Sequence, residues 1–122
     1  MKVSVAETHL TQEMVTITVI GPIDARAVLR LEQALATSLE SKSYKIIFDL
    51  GDVDYVCSAG WSLFVSKLKE IREQGGDLKL ARMRENVYEM YKALDFFWFL
   101  RSYPTLEEAV SDFENAISPM PE

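Results

Sequence analysis

The residues best equipped for chemistry lie close together, between Asp49 and Gly60. They are three carboxylates (Asp49, Asp52 and Asp54), the one cysteine, Cys57, and Ser58, followed by Ala59 and Gly60. A serine between a turn and a helix can do two things. Its oxygen can accept an N–H from the first helical turn, as an N-cap does. Its hydroxyl can also take a phosphoryl group, whose charge suits a helix N-terminus. The residues by themselves favour the cap. Cys57 would need an activating base to act as a nucleophile. The only histidine, His9, falls near the first hairpin with no reason to reach it. Cys57 therefore reads as a small, half-buried thiol. His9 lacks the companion ligands of a metal site. The carboxylates invite a Mg²⁺ reading, but alternation along a strand divides them between faces, and Asp52 falls in a turn. No metal and no cofactor are expected.

The elements around this stretch set it at the end of a strand. Ile46-Ile47-Phe48, closed by Asp49-Leu50, is a short apolar run of the kind that forms a buried strand. Gly51-Asp52 and Asp54 form turns, and a helix follows Gly60, carrying Trp61, Phe64, Val65, Leu68 and Ile71 on one stripe. Gly75-Gly76 ends that helix, because glycine tolerates the left-handed backbone of a helix C-terminus. Upstream, Val3 and Val5 open a first strand. Thr11-Gln12-Glu13 suits a hairpin turn, and Met14 to Ile20 alternates Val/Ile with Thr as a second strand. Gly21-Pro22 stops it. Asp24 then caps a helix reaching about Glu40, with Val28, Leu31, Leu35 and Leu39 on its apolar face.

Downstream, Leu78 to Ala81 is a short strand, and Asn86 is a candidate cap for a brief helix with Val87, Met90, Tyr91 and Leu94. Part of the block Phe96-Phe97-Trp98-Phe99-Leu100 reads as an edge strand. Since neighbours on a strand face opposite ways, some of Phe97, Trp98 and Phe99 should be exposed and support self-association. Thr105 and Glu108 have the spacing of a capping box, opening a last helix with Leu106, Ala109, Val110, Phe113 and Ile117 inward. Residues 118–122 are expected to fray. The order β-β-α-β-α-β-α-β-α implies an α/β fold with a mixed sheet, an initial hairpin and then mostly parallel strands, packed by about four helices.

With 122 residues the chain is expected to form one domain. Its formal charge of −6 and scattered Lys and Arg argue against nucleic acid or an anionic membrane as direct partner. A lone cysteine excludes an internal disulfide and suits a reducing compartment. Without a signal-peptide pattern or an apolar run long enough to span a bilayer, the expected location is the cytoplasm.

Three segments together resemble the STAS domain, specifically the small bacterial anti-sigma factor antagonists. Gly21-Pro22-Ile23-Asp24 is similar to the family's Gly-x-(Leu/Ile)-Asp at the first helix. Ile46 to Leu50, with Val53-Asp54-Tyr55-Val56, is similar to its central strand and the segment beyond. Cys57-Ser58-Ala59-Gly60 is similar to its Asp-Ser-(Ser/Ala)-Gly corner. The resemblance runs on through Gly75-Gly76-Asp77-Leu78 and Glu107-Glu108-Ala109. This chain departs from the family pattern at Cys57, where Asp is usual, at Trp61, where Leu is usual, and at Asp95, where Gly is frequent.

The resemblance implies a single STAS domain over residues 1–122 that acts by binding, not as an enzyme. The partner it implies is an anti-sigma factor, a serine kinase with a histidine-kinase-like ATP-binding fold. Ser58 would be the phosphorylated residue, with Asp24, Cys57, Ser58, Ala59, Gly60 and Trp61 at the contact. The unphosphorylated protein would bind the anti-sigma factor and free a sigma factor, and a PP2C-type phosphatase would reset it. The alternative it leaves is a STAS scaffold without phosphoregulation, as in a stressosome-like or lipid-transport-associated complex. A small enzyme is disfavoured, since no catalytic triad, P-loop or Gly-x-Gly-x-x-Gly is present.

Overall fold

The computed structural model describes residues 2–7 and 14–115, with side chains for residues 14–114. His9, the Thr11–Glu13 turn, Ile117 and the 118–122 tail lie outside the described residues. The elements run β1 (Lys2–Glu7), β2 (Met14–Ile20), α1 (Ala25–Glu40), β3 (Lys45–Asp52), α2 (Ser58–Ser66) and α3 (Leu68–Glu73). They continue with β4 (Asp77–Ala81), α4 (Glu85–Ala93), β5 (Arg101–Tyr103) and α5 (Leu106–Asn115). The five strands form one sheet in chain order, β1 antiparallel to β2 and every later pair parallel. This is the mixed α/β sheet that the element order implies.

Each face of the sheet has its own packing. Side chains alternate along a strand, so β3 sends Ile46, Phe48 and Leu50 into the larger core with Leu31, Leu35, Trp61, Phe64, Ile71 and Tyr91. Ile47 joins the smaller cluster on the other face, with Met14, Ala81, Ala109 and Phe113 beneath α5. That second face also buries Lys79, whose side chain is only 4% exposed. Its ammonium lies 2.9 Å from Asp112, 3.5 Å from Asp77 and 4.5 Å from the Phe113 ring centre. A buried lysine is tolerable only with such company. α5 is thus held by a charge network over a thin apolar patch.

Several local expectations need correction. The helix expected from Gly60 to Gln74 begins earlier, at Ser58, and is broken at Lys67 into α2 and α3. Asn86 does not cap α4; Arg84 occupies the cap position, and the Asn86 amide instead donates to the Asp54 carbonyl at 2.7 Å. The aromatic block contributes no strand. Phe96–Trp98 is a single 3-10 turn, and the edge strand is Arg101–Tyr103. The turn starts from Asp95 in the left-handed region (φ 61°), a conformation that explains why glycine suits this position. Elsewhere expectation and structure agree. Asp24 caps α1 by accepting from the Ala27 N–H at 3.0 Å. Gly75 has φ 85° just beyond α3. Thr105 Oγ1 accepts from the Glu108 N–H at 3.1 Å, the forward half of a capping box.

Candidate functional site

The parallel strands β2 and β3 end side by side, and the segments leaving them are stitched together. The Gly21 N–H donates to the Asp52 carbonyl at 2.9 Å, and the Ile23 N–H to the Tyr55 carbonyl at 2.8 Å. The Cys57 N–H donates to the Ile23 carbonyl at 2.9 Å, and Ile23 and Val56 form a one-residue parallel bridge. The sheet therefore continues past its formal end and delivers the start of α1 and the start of α2 to one edge. This is the carboxyl edge of the parallel strands, where open α/β sheets meet ligands. Asp24 and Ser58 reach it on neighbouring segments, as the resemblance implies.

Gly60 makes this junction possible. A Cβ there would lie 2.9 Å from both Ile23 Cγ2 and Val56 Cγ1, closer than packed carbons approach. Any larger residue would pry α2 away from the bridge.

At the start of α2 the residue roles differ from expectation. Cys57 is the N-cap, in extended conformation, and its side chain makes no capping hydrogen bond. Its carbonyl accepts the N–H groups of Gly60 and Trp61. Ser58 is the first helical residue, not the cap. Ser58 and Ala59 are exposed, as are Asp24 and Asp54, and Cys57 is half-buried. An exposed hydroxyl on the first turn is open to another protein and sits at the positive end of the helix dipole.

Trp61 needs correction as a contact residue. It is only 3% exposed, stacked on Phe96 with ring centres 5.1 Å apart and edge-on to Phe64. Gly60 is buried as well. Both shape the surface from beneath rather than form it. Tyr55, which sequence reasoning passed over as part of a turn segment, is 53% exposed and stands beside the corner. An aromatic residue in a polar turn was the available signal.

The carboxylates have structural duties. Asp49 is buried and accepts from Arg82 Nη1 through both oxygens at 3.0 Å, and from the Gly51 N–H at 3.1 Å. Asp52 lies 3.7 Å from Arg84, whose Nε donates to the Gly51 carbonyl at 3.0 Å. Together with Asn86 on Asp54, these contacts tie the β3–α2 loop to the loop before α4. The segment carrying Ser58 is held on one side by the Ile23 bridge and on the other by Arg82, Arg84 and Asn86. Among the described residues, no helix is long and apolar enough to cross a membrane.

This is an α/β domain whose exposed features converge on a rigid corner between two strands and two helices. The STAS domain pattern matches residues 5–109, and the chain belongs to that family. Among related sequences, BtrV of Bordetella bronchiseptica, named as a candidate anti-sigma factor antagonist, is 26% identical over 97 residues. The match covers 80% of this chain and 84% of BtrV. The anti-sigma-B factor antagonist of Listeria monocytogenes is 24% identical, with 75% of this chain and 81% of that protein covered. The fold is shared with a candidate antagonist of Thermotoga maritima, TM1081, with a TM-score of 0.79 and 20% identity; 87% of this chain and 92% of that one are covered. It is shared too with unphosphorylated SpoIIAA, with a TM-score of 0.71 and 17% identity; 94% of this chain and 99% of that one are covered.

Proposed function

We propose that this protein is an anti-sigma factor antagonist, a binding module switched by phosphorylation of Ser58. Unmodified, it binds an anti-sigma factor and so releases a sigma factor. The anti-sigma factor is itself the kinase, with a histidine-kinase-like ATP-binding fold. The Ser58 oxygen attacks the γ-phosphorus of ATP, the bond to ADP breaks, and the hydroxyl proton passes to a base of the kinase. A PP2C-type phosphatase removes the phosphoryl group. The contact surface comprises Asp24, Tyr55, Cys57, Ser58 and Ala59, with Gly60 and Trp61 holding it in shape.

The observation that carries this reading is the exposed Ser58 hydroxyl on the first turn of a firmly held helix. Two relatives named as antagonists support it, as does SpoIIAA, of which an unphosphorylated and a phosphorylated form share this fold. Phosphorylation adds roughly −1.5 to −2 charges at neutral pH. The helix end stabilises them in the free protein, while a partner docked over the same spot must desolvate them beside Asp24 and Asp54. The added charge therefore favours release.

Incubation with the cognate serine kinase and ATP tests the site. Phosphate transfer is expected to the natural protein and not to Ser58→Ala. Transfer that persists in Ser58→Ala refutes the assignment. Cys57, in place of the family's Asp, favours a second reading, a scaffold subunit that is never phosphorylated. Stable co-purification with a large assembly, together with no transfer to Ser58, would select it.

A further inference from the structure

The loop from β4 to α4 serves two sides. Arg82, Arg84 and Asn86 reach back to Asp49, Gly51 and Asp54. Between them, Met83 and Glu85 line a cavity of about 520 Å³, completed by Tyr88, Ser102, Tyr103 and Pro104. The three backward contacts fix the loop, and Met83 also packs against the larger core. The cavity wall is therefore formed before any ligand arrives, and the volume lies in the range of small-molecule sites. Met83, Tyr88 and Pro104 make the wall apolar.

The polar groups narrow the choice of ligand. The Tyr103 hydroxyl is engaged by Asp112 and Lys79, and the Ser102 side chain is hydrogen-bonded to Tyr91. Glu85 carries the only charge on the lining, and among the described residues no cation pairs with it. The nearest basic groups stand outside this lining. Lys92 lies over the Tyr88 ring at 5.1 Å, and Arg101 lines the adjoining cavity and lies 3.6 Å from Asp112. We infer that the cavity is a site for a small organic cation, an amine carried on an aromatic body. The ammonium meets the Glu85 carboxylate, and the body packs between Tyr88 and the Met83–Pro104 wall. A neutral ligand of the same shape takes water from the carboxylate and returns no charge to it, and an anion is repelled. The site is separate from the Ser58 corner, and binding there does not depend on phosphorylation.

Tryptamine, tryptophol and indole-3-acetate share an indole body and differ in charge, and titrating each into the ¹⁵N-labelled full chain tests this. Tryptamine is expected to shift the amides of Tyr88 and Ser102, and to bind about fivefold more tightly than tryptophol. Indole-3-acetate is expected to be the weakest of the three. Glu85→Gln, which breaks no contact within the protein, brings tryptamine down to the level of tryptophol. Tyr88→Ala weakens both, and Ser58→Ala changes neither. Nα-acetyl-lysine methylamide has the same charge on the stem a partner protein's side chain would offer, and it is expected to bind more weakly than tryptamine. The proposal is overturned if no compound shifts the Tyr88 and Ser102 amides at millimolar concentration. It is equally overturned if the neutral or acidic compound binds as tightly as the amine, or if Glu85→Gln leaves the preference intact. Equal affinity for the lysine derivative would give the cavity to a protein side chain and overturn it too.

Discussion

At the scale of single residues, Cys57 determines how α2 begins. The cap position favours an oxygen that can accept first-turn N–H groups, and the Cys57 side chain provides no such bond. Cys57→Asp is expected to raise unfolding stability by about 1 kcal/mol, seen as a higher denaturation midpoint at unchanged slope. It also puts a carboxylate beside Ser58, so the same variant reports whether added charge there alters the proposed phosphoryl transfer. The position of Ser58 at the corner was legible in the sequence because a turn, a small-residue corner and a helix follow one another in order. Its place in the helix was not. Cap and first helical residue differ by a single step, and pattern does not resolve that step. The inward place of Trp61 was legible from helical spacing; its role as a contact came from the resemblance, and the structure buries it.

At the scale of elements, the corner depends on close approach. Gly60→Val is expected to cost about 1–3 kcal/mol by overpacking against Ile23 and Val56. It should also weaken partner binding more than the stability loss explains, because α2 tilts away from the Asp24 loop. Thermal denaturation and partner affinity, measured together, check this. Trp61 belongs to the same scale. The family usually has a smaller residue there, and Phe96 supplies the flat face on which the indole stacks. The unusual Trp61 is thus accommodated by Phe96, a pairing across 35 residues of chain that no local pattern reveals.

On the opposite face α5 relies on Asp112. Its carboxyl is held below its usual pKa, chiefly by the hydrogen bond with Tyr103, with Lys79 and Arg101 adding to the effect. Burial pushes the Tyr103 hydroxyl up. A depressed carboxyl contributes stability above its unfolded pKa of about 4, and this contribution is lost as pH falls through the lowered folded value. Asp112→Asn should therefore be less stable at neutral pH, by about 1 kcal/mol. The difference from the natural protein should shrink as pH drops from about 4, read from denaturation midpoints across the acid range.

At the scale of the whole molecule, the mixed sheet and the helix positions were legible because each strand and helix carries its own hydrophobic period; the strand order within the sheet came from the structure. The break at Lys67 and the 3-10 turn in the aromatic block were not legible. In both, tertiary packing overrides local preference. Part of the five-residue block reads as an edge strand, yet Phe97, Trp98 and Phe99 are 45%, 76% and 40% exposed on a turn, with the Phe97 and Trp98 rings in contact. Exposed apolar patches mark contact surfaces. The protein is expected to associate with itself as concentration rises, and Trp98→Ser is expected to shift it toward monomer at little cost in stability, since that indole is largely exposed. Sedimentation equilibrium of the two proteins makes the comparison.

The central claim is that charge gained or lost at Ser58 decides whether the partner stays bound. Calorimetric titration of the cognate anti-sigma factor with two preparations, unmodified and carrying phosphoserine at position 58, tests it most directly. Tight binding by the unmodified protein and about tenfold or greater weakening by the phosphorylated one is the predicted result. Equal affinity for both preparations would contradict it.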